Sequence, residues 1–192
     1  SFSTALGASH DWILARFAEA GLSTQSFTFQ LDGANANCSP PRPVVTLANP
    51  IGVKRGTSNP GEWIVVGAHY DSRNTVRCDT VNPQPGANDN ASGCAGVIEL
   101  ARVFANVETS RSILFMCFSG EEQGLVGSRR YVESLQASGD INRVRYMINL
   151  DMIGYAVDDT LATRIETTPV FASQLTRFAA AAATYAPELG PI

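Results

Sequence analysis

The chain has 192 residues, with 14 Lys plus Arg against 18 Asp plus Glu and a formal charge of −4. Apolar residues at 44% and charged residues at 17% are the balance of a folded globular domain, not of a disordered chain. The acidic balance, without any Lys/Arg cluster, argues against nucleic acid or an anionic membrane as partner, and no apolar run approaches the ~20 residues needed to cross a bilayer.

Residues 5–20 have the pattern of an amphipathic helix with Trp12, Ile13 and Phe17 on one side and Gly21 as its stop. Residues 26–31 and 43–48 read as strands on either side of a polar, Pro-containing loop, 33–42. Trp63 to Asp71 is a continuous β-branched run, as expected of a strand buried on both faces. Two similar runs follow, Ile113 to Ser119 and Tyr146 to Asp151. Helix patterns lie between and after them. Residues 92–107 align Val97, Leu100, Ala101 and Phe104, with Asn90 and Ser92 as candidate N-caps. Residues 124–136 align Leu125, Ser128, Val132 and Leu135, and residues 169–185 carry Phe171, Leu175, Phe178 and Ala182. Buried strands alternating with helices predict an α/β three-layer sandwich: a largely parallel, mixed central sheet with helices on both faces. Residues 1–192 are expected to form a single domain.

The four cysteines have no CxxC spacing, so they do not read as a zinc ribbon. Cys94 and Cys117 fall in apolar patterns and read as buried thiols. Cys38 and Cys78 fall in polar loops; pairing and free thiols both remain open, because spacing does not decide it.

Polar residues cluster where the apolar strands end. His69 and Asp71 close the first run, Glu121 and Glu122 follow the second, and Asp151 closes the third. Sites in open α/β sheets form beyond the carboxyl ends of the strands. Asp89, in the polar loop 86–93 that opens a helix, can reach the same edge. Carboxylates gathered in a cleft repel one another, and one or two divalent cations resolve the repulsion. Imidazole with carboxylates and no thiolate suits Zn²⁺, Co²⁺ or Mn²⁺. One carboxylate can also bridge two ions ~3.5–4 Å apart.

Four segments carry a family resemblance: His69-Tyr-Asp71-Ser, Gly86-Ala-Asn-Asp89-Asn-Ala-Ser-Gly93, Ser119-Gly-Glu121-Glu122-Gln-Gly-Leu-Val-Gly-Ser128, and Asn149-Leu-Asp151-Met. In this order they resemble the M28 family of zinc aminopeptidases. The resemblance implies an exopeptidase acting on peptides with a free N-terminus, through two zinc ions bridged by Asp89. It implies that His69 and Asp151 complete one metal, that Glu122 binds the other, that Glu121 is the general base and that Asp71 orients the His69 ring. It also implies a cis peptide bond between Asp89 and Asn90, and a secreted protein.

One departure stands out. The family supplies a late histidine to the metal held by Glu122, whereas this sequence contains only His10 and His69, and His10, which reads as a surface residue, matches no ligand motif. The expectation is therefore a chain incomplete at its C-terminus, or a site completed by a second segment, with one ion bound firmly. Two alternatives stay open: a non-catalytic or single-metal binding module, and a glutaminyl-cyclase-like acyltransferase.

Overall fold

In the computed structural model, which describes residues 5–32, 38, 42–76, 78–155 and 162–188, the elements follow in the order α1 (Ala5–Glu19), β1 (Ser23–Leu31), β2 (Val45–Lys54), β3 (Asn59–His69), α2 (Gly93–Phe104), β4 (Arg111–Phe118), α3 (Val126–Ser138), β5 (Val144–Asn149) and α4 (Ala172–Tyr185). The five strands form one sheet in the order β1-β2-β4-β3-β5. Most of the predicted loop 33–42 lies outside the described residues. The backbone falls into two compact units, Ser1–Met152 and Ile153–Ile192. The first holds the sheet with α1, α2 and α3; the second holds α4 and the short 3-10 turn Pro169–Phe171 before it.

Alternation along the central strands builds the first unit. Successive residues of a strand point to opposite faces. Val66, Ala68, Ile113, Phe115 and Cys117 form one core with Ile13 and Phe17 of α1 and Cys94, Val97 and Ala101 of α2. Val65, Leu114, Met116 and Phe118 form the opposite core with Ile51, closed in part by Tyr131 of α3. Helices thus cover both faces, and a fully buried side chain such as Phe115 or Met116 stabilises the fold by roughly 1.5–3 kcal/mol. Gly21 ends α1 in the left-handed region at φ +77, where a side chain would be strained.

Four sequence expectations change. The sheet is not largely parallel: β1–β2 and β2–β4 are antiparallel, and only β3–β4 and β3–β5 are parallel. The sequence between β1 and β2 carries turn residues and no helix pattern, and consecutive strands so connected pair antiparallel. Strand β5 is not buried on both faces. It lies at the end of the described sheet, paired only with β3, and Tyr146 and Met147 are exposed. Trp12 faces outward beneath the Arg16 guanidinium, 5.3 Å from its ring centroid, while Ile13 and Phe17 are buried. Finally, α3 starts at Val126, because Leu125 takes a left-handed conformation at φ 61.

Cys38 and Cys78 form a disulfide with a Cα–Cα distance of 5.5 Å, packed against Leu31. Cys94 and Cys117 are free and buried, as their apolar surroundings predict. Among the described residues, no helix is long and apolar enough to cross a membrane.

Candidate metal centre

Strands β3, β4 and β5 run parallel, with His69 opposite Phe118 and Gly67 opposite Asn149. Their carboxyl ends therefore open on one edge. His69 is the last residue of β3, Glu121 lies three residues beyond β4, and Asp151 lies two beyond β5.

Asp89 reaches the same edge from the turn Ala87–Ser92 in front of α2. Asp89 and Asn90 leave helical geometry there, and the peptide bond between them is cis, in agreement with the expectation from the resemblance. Asn90 is buried and holds this turn against the Asp151 segment. Its Nδ2 donates to the Leu150 carbonyl at 2.9 Å, and its Oδ1 accepts the N–H of Gly93 at 3.0 Å and of Met152 at 3.2 Å. Asn90, not Ser92, thus supplies the side-chain acceptor at the start of α2. A Cβ at Gly93 would lie 2.4 Å from Asn90 Oδ1, so this close approach requires glycine.

His69, Asp89 and Asp151 each place one ligand-type atom within 4.8 Å of the others. His69 Nε2 is 3.1 Å from Asp89 Oδ1 and 3.8 Å from Asp151 Oδ1. On the other side of the ring, Nδ1 lies 3.0 Å from the Asp71 backbone carbonyl. A carbonyl only accepts, so Nδ1 carries a proton and donates it, which directs Nε2 toward the carboxylates. Burial opposes the imidazolium, but the Asp71 and Glu121 carboxylates outweigh it, and the His69 pKa is pushed up to about 9. The Cys94 thiol donates to the His69 carbonyl at 3.3 Å, which ties α2 to the end of β3.

Asp71 is fully buried behind His69, but its carboxylate does more than face the ring. It stands 3.7 Å from Nδ1, while Oδ1 accepts the Glu121 N–H at 3.1 Å and Oδ2 accepts the Glu122 N–H at 3.3 Å. The Asp71 carbonyl accepts from the His69 ring, and the Asp71 carboxylate both faces that ring and accepts the N–H groups of the glutamate pair.

Glu121 lies at the cluster, with Oε2 3.8 Å from His69 Nε2. Burial raises its pKa, as do Asp71, Asp151 and Asp89, against the opposing pull of His69. Glu121, His69 and Asp151 line a cavity of about 570 Å³ together with the apolar side chains of Phe118, Val132 and Met147. Glu122 falls outside the three-residue cluster. Its side chain is 8% exposed and pairs through Oε2 with Arg73 Nε at 2.7 Å. Burial and the Asp89 charge raise its pKa, and Arg73 opposes them.

Sequence reasoning missed Asn49, Asn90 as a tether, and Arg73. Asn49, fully buried on β2, brackets the glutamate segment: its Oδ1 accepts the Ser119 N–H at 2.9 Å, and its Nδ2 donates to the Gly127 carbonyl at 3.1 Å. An asparagine inside an apolar strand was the available signal. His10 contacts Asp11 and Ser26 at the junction of α1 and β1 and belongs to no ligand cluster among the described residues.

The donor set fits zinc. One imidazole nitrogen, held by a carbonyl on its other side, meets two carboxylates with no thiolate near, a three-ligand set that leaves a position for water or substrate. The fold and this cluster define an α/β protein with a candidate metal centre at the strand ends. The profile of peptidase family M28 matches residues 49–190, and the chain belongs to that family.

A probable zinc metalloprotease of Pyrenophora tritici-repentis is 35% identical over 157 residues, covering 78% of this chain and 35% of that protein. The solved zinc aminopeptidase of Bacillus subtilis is 33% identical with a TM-score of 0.58, covering 75% of this chain and 34% of that one. A glutaminyl cyclase from Fimbriiglobus ruber shares the fold at 22% identity, with a TM-score of 0.73, covering 94% of this chain and 65% of that one. The chain spans about a third of the length of the curated relatives it matches.

Proposed function

We propose that this chain carries the metal-binding core of a zinc-dependent aminopeptidase, which hydrolyses the N-terminal peptide bond of peptides. The observation that carries the reading is the meeting of His69, Asp89 and Asp151 at one sheet edge with Glu121 beside them. His69, Asp89 and Asp151 would hold one zinc ion, and Asp89 and Glu122 a second, with Asp89 between the two. Bound zinc supplies Lewis acidity toward the scissile carbonyl and the attacking water. Glu121 takes the proton from that water and returns it to the leaving amine; its partly buried carboxylate among other acids favours such a base. Asp71 holds the Glu121 and Glu122 backbone in register with the His69 ring. Phe118, Val132 and Met147 give the cavity beside the cluster part of its apolar lining.

Among the described residues the second ion would have Asp89 and Glu122, and a further ligand would have to come from a segment other than these. The Cys38–Cys78 bridge supports an oxidising, extracytoplasmic location.

The test is release of p-nitroaniline from leucine-p-nitroanilide by the chain and by any longer protein that carries it. Release that a chelator abolishes and zinc restores is expected in the longer protein. Chelator-resistant release would overturn the proposal, as would zinc-loaded protein that cyclises N-terminal glutamine but leaves leucine-p-nitroanilide intact.

A further inference from the structure

His69, Asp89 and Asp151 come from three separate segments, and one line of hydrogen bonds joins all three beside the ligand positions. The Leu150 N–H donates to the Gly67 carbonyl at 2.8 Å, and the Leu150 carbonyl accepts from Asn90 Nδ2 at 2.9 Å. Gly67 lies two residues before His69, Leu150 one before Asp151, and Asn90 one after Asp89. Asn90 Oδ1 also accepts the Met152 N–H at 3.2 Å. One side-chain amide therefore brackets Asp151 from both neighbours, while its own backbone carries Asp89. Met152 needs such a hold, because at φ 51 it sits in the left-handed region that non-glycine residues occupy at a cost. Asn90 is 1% exposed, and a Cβ at Gly93 would also lie 2.5 Å from the Leu150 carbonyl. The glycine thus lets both bonded groups come close to α2. Packing does not hold the two carboxylates in the same way, since the side chains of Asp89 and Asp151 are 46% and 49% exposed.

We propose that Asn90 is the positioning residue of the His69–Asp89–Asp151 cluster: it presets how far Asp89 stands from Asp151, and so the size of ion the cluster prefers. This rests on the reading above that the cluster holds zinc. Asn90 acts through the backbone on either side of Asp151 and through its own link to Asp89. A ligand set held within about 0.5 Å of its working geometry favours the ion that matches the gap. Ligands free to drift apart adapt to a larger ion and lose that discrimination. Cadmium is the larger relative of zinc with the same charge, so the ratio of the two affinities reads the spacing directly. A change in net charge or in overall stability moves both affinities together and leaves the ratio alone.

The experiment is calorimetric titration of the metal-stripped protein with zinc and, separately, with cadmium, in the wild type and in Asn90→Ser, Asn90→Asp and Asn49→Leu. Serine keeps a short acceptor for the start of α2 but is too short to reach residues 150 and 152. Aspartate is the milder change: it keeps both acceptor bonds and loses only the donor to Leu150. The result expected is zinc binding about 10–100-fold weaker in Asn90→Ser, with cadmium weakened less, so that the preference for zinc narrows. Asn90→Asp should narrow it in part. Asn49→Leu, which loses two buried hydrogen bonds on a segment that carries none of the three ligands, should keep the wild-type preference. An unchanged preference in Asn90→Asp, or in Asn90→Ser with native circular dichroism, overturns the proposal. Equal narrowing in Asn49→Leu also overturns it, since the effect would then be a general loosening of the fold. A wild-type protein without any tight zinc step fails the zinc reading itself and is told apart by that.

Discussion

The carboxylate of Asp71 accepts the backbone N–H of Glu121 at 3.1 Å, joining residues 50 apart in the chain. The same carboxylate takes the Glu122 N–H, so one buried charge sets where both glutamates start. Asp71→Ala would leave two N–H groups without their acceptor, at about 1–3 kcal/mol each. We expect thermal denaturation to show a fall in Tm of roughly 4 °C or more, together with at least tenfold weaker zinc binding. Unaltered stability and zinc affinity would show that the two bonds are incidental.

Glu121→Gln keeps the shape of the side chain and removes its basicity. Turnover by the active protein should drop by about 10²–10⁴ with zinc content unchanged. Steady-state kinetics beside metal analysis by atomic absorption checks it, and near-normal turnover would exclude Glu121 as the base.

Zinc titrated into the isolated 192-residue chain should show one tight site. His69→Ala should remove it, since the ring supplies the only nitrogen donor of the cluster. Glu122→Gln should leave it in place, because Glu122 lies outside that cluster. Two equally tight sites in the isolated chain would refute the assignment.

Asn49→Leu would strand the Ser119 N–H and the Gly127 carbonyl in a fully buried setting. A loss of about 2–4 kcal/mol in urea unfolding is expected. Zinc should still bind through His69, Asp89 and Asp151, none of which lies in the segment that Asn49 holds. An unfolding midpoint equal to wild type would contradict this role.

The Cys38–Cys78 bridge closes a span of 40 residues. Loop-closure entropy for that length predicts about 4 kcal/mol of stabilisation. The double variant Cys38→Ala/Cys78→Ala should unfold at correspondingly lower urea. The buried Cys94 and Cys117 should resist alkylation in the native protein and react only on unfolding.

Much of the site was legible in the sequence, because its signals are local. A β-branched run such as Trp63 to Ala68 declares a buried strand, and the polar residues that close it declare where that strand meets solvent and ligand. His69, Asp89, Glu121 and Asp151 were readable on those grounds, as were the α/β layering and the helix stop at Gly21. The partners of these residues were not. Asp71 and Glu121, Asn49 and Ser119, Asn49 and Gly127, and Glu122 and Arg73 are each joined across about 50 residues or more. Hydrogen bonds between distant segments leave no periodic trace in the chain; they exist only once strand order and direction bring the segments together. The antiparallel course of β2, the exposure of β5 and the outward turn of Trp12 were decided at the same level. Apolar patterning says that a surface is buried, and only packing says against what.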